Sequence, residues 1–191
     1  MTTLLSWRRC DSTTHREQSA AAHDLLCATL QKAGVEKTPL AVTAEGRPYF
    51  PAHPEVDFNL SHTKGMVVCA LAIGTLQAPP RVGVDIENTL TDTEKAVRLA
   101  RRFFRESELR YFEEAEEKGL AFVEIFTAKE AYGKFMGEGL AVHLGDDTMR
   151  KDFEKRTKTA FFRYRIGTYC ITLCQKAEME PPAPPAAGLN D

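Results

Sequence analysis

Val82-Gly83-Val84-Asp85-Ile86-Glu87 alternates apolar residues with a glycine and two carboxylates, the pattern of a short strand running into a polar end. Residues two apart on a strand project to the same face. Asp85 and Glu87 therefore stand side by side while Val84 and Ile86 turn into a core. Two ionised carboxylates that close repel unless a cation lies between them. A hard divalent ion such as Mg²⁺ serves, taking one or two carboxylates and completing its shell with substrate phosphates. A strand end carrying two solvated acids has the same pattern, so the flanking sequence has to decide.

Just before this strand, Gly74 to Arg81 holds Pro79-Pro80, the clearest internal boundary. It divides an N-terminal lobe, 1–80, from a C-terminal lobe, 81–177. The Pro/Ala-rich stretch 178–191 has nothing to pack with and is expected to be a disordered tail. After the strand, Thr91 or Asp92 can cap a helix through about Phe104, whose charges from Lys95 to Arg105 are all positive. A Glu-rich helix follows near 106–117, and a third runs from about Leu120 to Met136 and ends at Gly137-Glu138-Gly139. Residues 140–158 read as polar loop, and two strands, 159–166 and 168–174, turn at Gly167.

The N-terminal half reads as a strand near 3–9 and a helix from Thr14 to about Ala33. Thr14 and Glu17 give that helix a capping-box spacing, and Gly34 stops it. Residues 35–57 are irregular, with a turn at Ala44–Tyr49. Phe58-Asn59-Leu60-Ser61-His62 is a short strand ending in polar groups. Met66–Ile73 is a buried strand by its nearly unbroken apolar content.

Composition bounds the function. The 191 residues carry 43% hydrophobic and 27% charged residues and a net charge of −2, so no global electrostatics favour nucleic acid or a membrane surface. No stretch approaches the length of a membrane span. Five scattered cysteines lack a zinc spacing, and Cys27 and Cys69 read as core thiols. With no apolar export segment at the N-terminus, a reducing cytoplasm is the expected compartment.

Three further stretches bear on Asp85 and Glu87. In Phe126-Thr127-Ala128-Lys129-Glu130-Ala131-Tyr132-Gly133-Lys134, Glu130 and Lys134 share a helix face. They form either a surface salt bridge or a third carboxylate with a lysine one turn away for phosphate. In Asn59-Leu60-Ser61-His62-Thr63, neighbouring Ser61 and His62 point to opposite faces of a strand. That argues against a serine nucleophile activated by His62, and hydrogen bonding to an anion is the better use, alongside a purely structural role. Gly46-Arg47-Pro48 is a turn that displays one basic residue.

Taken in order, G-R-P, F-N-L-S-H-T, V-G-V-D-I-E, R-F-F-x-x-x-E and F-T-A-K-E-A-Y-G-K-x-x-G-x-G-L resemble the motifs of the 4′-phosphopantetheinyl transferases, running from Gly46 to Leu140. The larger, two-lobed kind typified by the surfactin-synthetase activator is the nearer match. Phe126 stands where the family usually has Trp, and Arg47 where it has Lys. His23 stands where the N-terminal helix commonly has Arg.

The resemblance implies an α+β pseudo-dimer of two similar lobes with the active site between them, acting as a monomer. It implies transfer of the phosphopantetheine arm of coenzyme A to a serine of an acyl or peptidyl carrier protein of fatty-acid, polyketide or peptide synthesis, releasing 3′,5′-ADP. Asp85, Glu87 and Glu130 would hold Mg²⁺, and Glu130 or a water beside it would take the serine proton. Lys134 and Lys129 would neutralise phosphate, Arg47 would contact the adenine end, and Ser61 and His62 would bind the coenzyme phosphates. His23 and Arg16, or Arg8 and Arg9, would contribute to the nucleotide phosphates. Arg98, Arg101, Arg102 and Arg105 would steer the carrier's acidic helix. Another Mg²⁺-dependent phosphate-cleaving enzyme, or a carrier-binding module without activity, are the competing readings.

Overall fold

Alternating patterns and capped helices become fourteen elements in the computed structural model, which describes residues 1–12, 14–89, 92–138 and 140–183. In chain order they are β1 (Thr2–Cys10), α1 (His15–Lys32), β2 (Ala41–Val42), β3 (Pro48–Tyr49), β4 (Val56–Thr63), β5 (Gly65–Ile73) and β6 (Val82–Asn88). There follow α2 (Thr93–Phe103), α3 (Glu106–Glu114), α4 (Lys118–Met136), α5 (Leu140–His143), α6 (Phe153–Thr157), β7 (Thr159–Ile166) and β8 (Tyr169–Lys176). The architecture is mixed α+β. Thr91, Gly139 and residues 184–191 lie outside the described residues; the expected tail is corrected at its start, where Met179 is buried in the core and Gln175 Nε2 donates to the carbonyls of Met179 and Glu180.

The helix starts follow local chemistry. Thr14 accepts the Glu17 N–H at 3.3 Å and so caps the helix as expected, but the box is only half formed: the Glu17 carboxylate accepts the Thr14 hydroxyl at 2.6 Å, while the Thr14 N–H goes to Ser12 Oγ. Asp92 caps α2 by accepting from the N–H groups of Glu94 and Lys95. Gly34, at φ 69°, follows the end of α1.

Two antiparallel sheets carry the fold, ordered β1-β5-β4 and β6-β8-β7. Each places its last strand in the centre, between the first and the middle one. Period-2 alternation splits the central strands cleanly. Met66, Val68, Ala70 and Ala72 of β5 face the second sheet, whereas Val67, Cys69 and Leu71 face α1. On β8, Ile171 and Leu173 meet the first sheet, and Cys170 and Cys174 pack among the helices on the other face. The layers therefore run α1, first sheet, second sheet, then α2–α4. One core cluster joins Leu5, Met66 and Val68 to Val82, Val84, Ile86 and Leu173, so Pro79-Pro80 links two sheets that share an interior.

The edge of β6 is covered by side chains of β4. Asp57 Oδ2 accepts the Val82 N–H at 2.8 Å, and Asn59 Oδ1 accepts the Val84 N–H at 2.9 Å. Alternate residues of β4 thus face the second sheet, while Val56, Phe58 and Leu60 pack toward α1.

Several boundaries differ from expectation. The segment 140–158 contains α5 and α6 instead of being all loop, and 35–57 contains the β2–β3 hairpin. These pieces are too short to show periodicity. The Glu-rich helix stops at Glu114, three residues before the expected end. Cys69 is buried as expected, but Cys27 is only half-buried.

Gly83 allows α4 to lie against β6. A Cβ there would stand 2.1 Å from the Ala131 carbonyl oxygen and 2.4 Å from the Phe135 nitrogen, both backbone atoms that cannot rotate away. Gly83→Ala should therefore destabilise the fold by about 1–3 kcal/mol, read as a drop of several degrees in melting temperature. Unchanged melting would contradict the close approach.

Candidate active site

The odd-numbered residues of β6, Asp85 and Glu87 among them, turn toward α4, the helix that carries Glu130 and Lys134. Asp85 is buried, and its Oδ1 accepts two hydrogen bonds, from Ser61 Oγ at 2.8 Å and from Lys134 Nζ at 2.7 Å. Lys134 Nζ also donates to Ser61 Oγ at 2.9 Å. β4, β6 and α4 are thereby joined in one triangle. Two residues along, Thr63 Oγ1 donates to Glu87 Oε2 at 3.1 Å, continuing the register of β4 on β6. Lys134 pairs with Asp85 across elements, and among the described residues it makes no ion pair with Glu130. The reading of Glu130 and Lys134 as a helical surface salt bridge is thus replaced.

The charges do not balance. Asp85 Oδ2 is buried and accepts no hydrogen bond from a described residue. Burial, reinforced by Asp85 and Glu87 and opposed by Lys134, pushes the Glu130 carboxyl up to about 7. Burial first, then Asp85, raises Glu87 as well. One ammonium serves three carboxylates in a half-desolvated place, the arrangement in which pKa values shift at functional sites.

Among the described residues, no three His, Cys, Asp or Glu side chains converge closely enough to form a metal cluster as they stand. The donor chemistry nevertheless fits a hard divalent cation. All the candidate donors are carboxylate oxygens, one of them is an orphaned buried oxygen, and burial first, then the neighbouring acids, raises two of the carboxyls.

Two expected coenzyme contacts, Lys129 at phosphate and Arg47 at the adenine end, are corrected. Lys129 is fully buried and pairs with the equally buried Glu108 at 2.8 Å. It also donates to the carbonyls of Leu144 and Asp146. Adjacent helix positions lie about 100° apart around the axis, so Lys129 leaves α4 in a different direction from Glu130. Arg47 is also buried. Its guanidinium bonds both oxygens of Asp57, the carbonyls of Phe58 and Val82, and the carbonyl of Lys134. The guanidinium is thus an internal tie and not a free adenine contact. The turn itself still borders the site, since Gly46 and Pro48 line a cleft of about 190 Å³ with Asn59, Gly133 and Lys134.

The other N-terminal candidates are dispersed. His62 is half-buried, with its ring 4.8 Å from that of His15 at 80°. Burial, then His15 and Lys134, lower its pKa. Arg16 is exposed beside His15 on the first turn of α1. His23 is exposed farther along α1 and lines a separate cleft of about 270 Å³ with Leu26, Lys37 and Phe50. Arg8 donates to the Ala21 carbonyl at 3.0 Å, tying β1 to α1, and Arg9 is exposed. Arg98, Arg101, Arg102 and Arg105 are all exposed; Arg102 lies over the Phe103 ring at 5.0 Å, and Arg105 Nε donates to the Gly145 carbonyl.

Sequence reasoning missed Glu108. It accepts the Lys129 ion pair, the Arg105 N–H, and both the N–H and hydroxyl of Thr148. Its signal was present, a Glu closing the R-F-F-x-x-x-E stretch, but nothing in that stretch marks it as buried.

The family model described as the 4′-phosphopantetheinyl transferase superfamily matches residues 81–178. The chain is 30% identical over 123 residues to a 4′-phosphopantetheinyl transferase of Bacillus subtilis, covering 63% of this chain and 50% of that protein. It is 29% identical over 111 residues to the 4′-phosphopantetheinyl transferase gsp of Aneurinibacillus migulanus, covering 57% and 42%. It is 38% identical over 86 residues to the 4′-phosphopantetheinyl transferase HetI of Nostoc sp., covering 44% and 34%. The alignments thus span half or less of each of these relatives.

The raised Glu130 carboxyl has a consequence for stability. The folded protein holds its proton up to about 7, while the unfolded chain releases it near 4.5. Over that window the folded state binds more protons, so metal-free stability falls as pH rises and levels off above about 7. Glu130→Gln should remove this part of the decline. Urea unfolding at about pH 5 and about pH 8 reads it, and identical declines in both proteins would refute the assignment.

Proposed function

Because the chain belongs to the 4′-phosphopantetheinyl transferase superfamily, we propose that it transfers the phosphopantetheine arm of coenzyme A to a serine of an acyl or peptidyl carrier protein. The observation that carries the reading is the under-neutralised set Asp85, Glu87 and Glu130 with Lys134 among them. The equivalent order of the two sheets supports the pseudo-dimeric reading, two lobes meeting near Pro80 with the site between them. β4 of one lobe and β6 and α4 of the other all supply site residues.

The reaction moves one phosphoryl-linked group. The serine oxygen bonds to the phosphorus that bears pantetheine, the bridging P–O bond breaks, and 3′,5′-ADP leaves with the bond's electron pair. Asp85, Glu87 and Glu130 would hold Mg²⁺, which when bound neutralises the pyrophosphate as its bond breaks. Lys134 brings its ammonium to the same phosphates. Ser61, already a donor to an anionic oxygen, offers its hydroxyl there, and His62 lies one residue on. Glu130, whose carboxyl is raised to about 7 in the free protein, is suited in its ionised form to accept the serine proton. The exposed arginines of α2 and Arg105 present a positive face to an acidic carrier helix, which speeds encounter and weakens with salt.

Incubation with coenzyme A, Mg²⁺ and an apo carrier, followed by mass spectrometry of the carrier, tests the reading. A gain of one phosphopantetheine arm is expected, and Asp85→Ala should abolish it while the circular dichroism stays native. A hydrolysed coenzyme A with an unmodified carrier would mean a phosphate-cleaving enzyme of another kind. For the basic face, Arg101→Glu should raise the KM for carrier several-fold, and added salt should erase the difference. A KM indifferent to both would dismiss that face.

A further inference from the structure

A helix leaves its last four carbonyls without intrahelical partners. In α4 all four are satisfied, three of them by arginines from outside the helix. Gly133 O accepts the Gly137 N–H at 2.9 Å in a left-handed cap. Lys134 O accepts from Arg47 Nη1. Phe135 O accepts from Arg81 Nε at 2.6 Å, and Met136 O from Arg81 Nη2 at 3.0 Å. Two guanidinium charges at a helix C-terminus also complement its dipole.

The arginines are anchored elsewhere. Arg47 leads into β3 and is held by Asp57 of β4 and by the Val82 carbonyl of β6. Arg81 follows Pro79-Pro80 and directly precedes β6. The end of α4 is therefore fixed to a frame built from the hairpin, β4 and the start of β6. Gly137 suits this turn by its φ of 85°, and a Cβ there would stand 2.6 Å from Arg81 Nη2, so a side chain would displace that guanidinium.

Lys134 lies inside this clamped turn. Arg47 holds its carbonyl, while its side chain reaches Asp85 and Ser61. The position of the ammonium depends on where the last turn of α4 rests. Arg81 is only half-buried, and among the described residues it forms no ion pair with a carboxylate, so the helix end is its main engagement.

We propose that Arg81, together with Arg47, is a positioning residue that clamps the last turn of α4 and so sets the Lys134 ammonium against the phosphate side of the site. This rests on the transfer reaction proposed above. Arg81 acts through Lys134, and its contribution disappears once Lys134 is gone.

A double-mutant cycle tests this. Arg81→Ala should stay folded and lower kcat/KM for coenzyme A by about tenfold, within the coupling measured between residues that share a network. Lys134→Ala should lower it further, and the double variant should be no worse than Lys134→Ala alone. Losses that multiply would overturn the proposal and leave Arg81 a stability residue. Arg81→Lys, which can reach one of the two carbonyls, should recover part of the rate, and it replaces Arg81→Ala in the cycle should that variant fail to fold. Hydrogen exchange gives a readout independent of activity. Arg81→Ala should speed exchange in the last turn of α4 and leave α1 unchanged. Unaltered exchange in that turn overturns the clamp even if the wild-type chain transfers nothing, whereas faster exchange in an inactive wild-type background would sink only the transfer reaction.

Discussion

The fold depends on how the unpaired edge of β6 is covered. An edge strand presents backbone groups that must find partners, and β6 finds them in the side chains of β4. Asp57 and Asn59 accept the N–H groups of Val82 and Val84, and Arg47 meets the Val82 carbonyl. The same row continues two and four residues on, but its targets change from backbone to carboxylate, with Ser61 on Asp85 and Thr63 on Glu87. One register therefore both joins the two sheets and places the hydroxyls against the acids. A slip of one residue would turn Asp57, Asn59, Ser61 and Thr63 toward α1 and bring Phe58 and Leu60 to the carboxylates, losing the join and the site together.

Neighbouring residues of α4 show how structure and function separate by charge balance. Lys129 and Glu108 are both removed from water, and their polar atoms are met by each other, by carbonyls and by Thr148. Breaking such a pair strands a buried charge, at a cost of roughly 3–5 kcal/mol. Glu130, the next residue, has no such partner among the described residues, and burial raises its carboxyl to about 7. A closed, satisfied pair rigidifies α4 against α3 and the 144–148 segment. An acid without such a partner among the described residues keeps a raised carboxyl instead.

The strand faces were legible in the sequence wherever one face was apolar. The alternation in Val82–Glu87 put Val84 and Ile86 in the core and both acids on the other side, and the caps at Thr14 and Asp92 marked helix starts correctly. What escaped were polar residues whose partners lie far along the chain. The polar face of β4 reads as an exposed face until a second sheet covers it. Arg47 reads as a displayed cation because Asp57 and the end of α4 come together only in the fold. The resemblance puts Lys129 at the same anion as Lys134, and nothing in the sequence shows that its partner is the distant Glu108.

The placement of Lys134 follows from these constraints jointly. Gly83 lets the α4 backbone approach β6 closely enough for a lysine to reach Asp85, and the register of β4 brings Ser61 to the same oxygen. Three elements thus converge on Asp85 Oδ1 while Oδ2 of the same carboxylate is left without a described partner. The ammonium neutralises one acid of three. The remaining negative charge is tolerable only because Glu87 and Glu130 are shifted toward their protonated forms. A phosphate entering beside Lys134 would meet that surplus and be repelled unless a second positive charge arrived with it. The Lys134 ammonium is thus the group here that an anion would meet, and the carboxylate oxygens are those that a cation would meet.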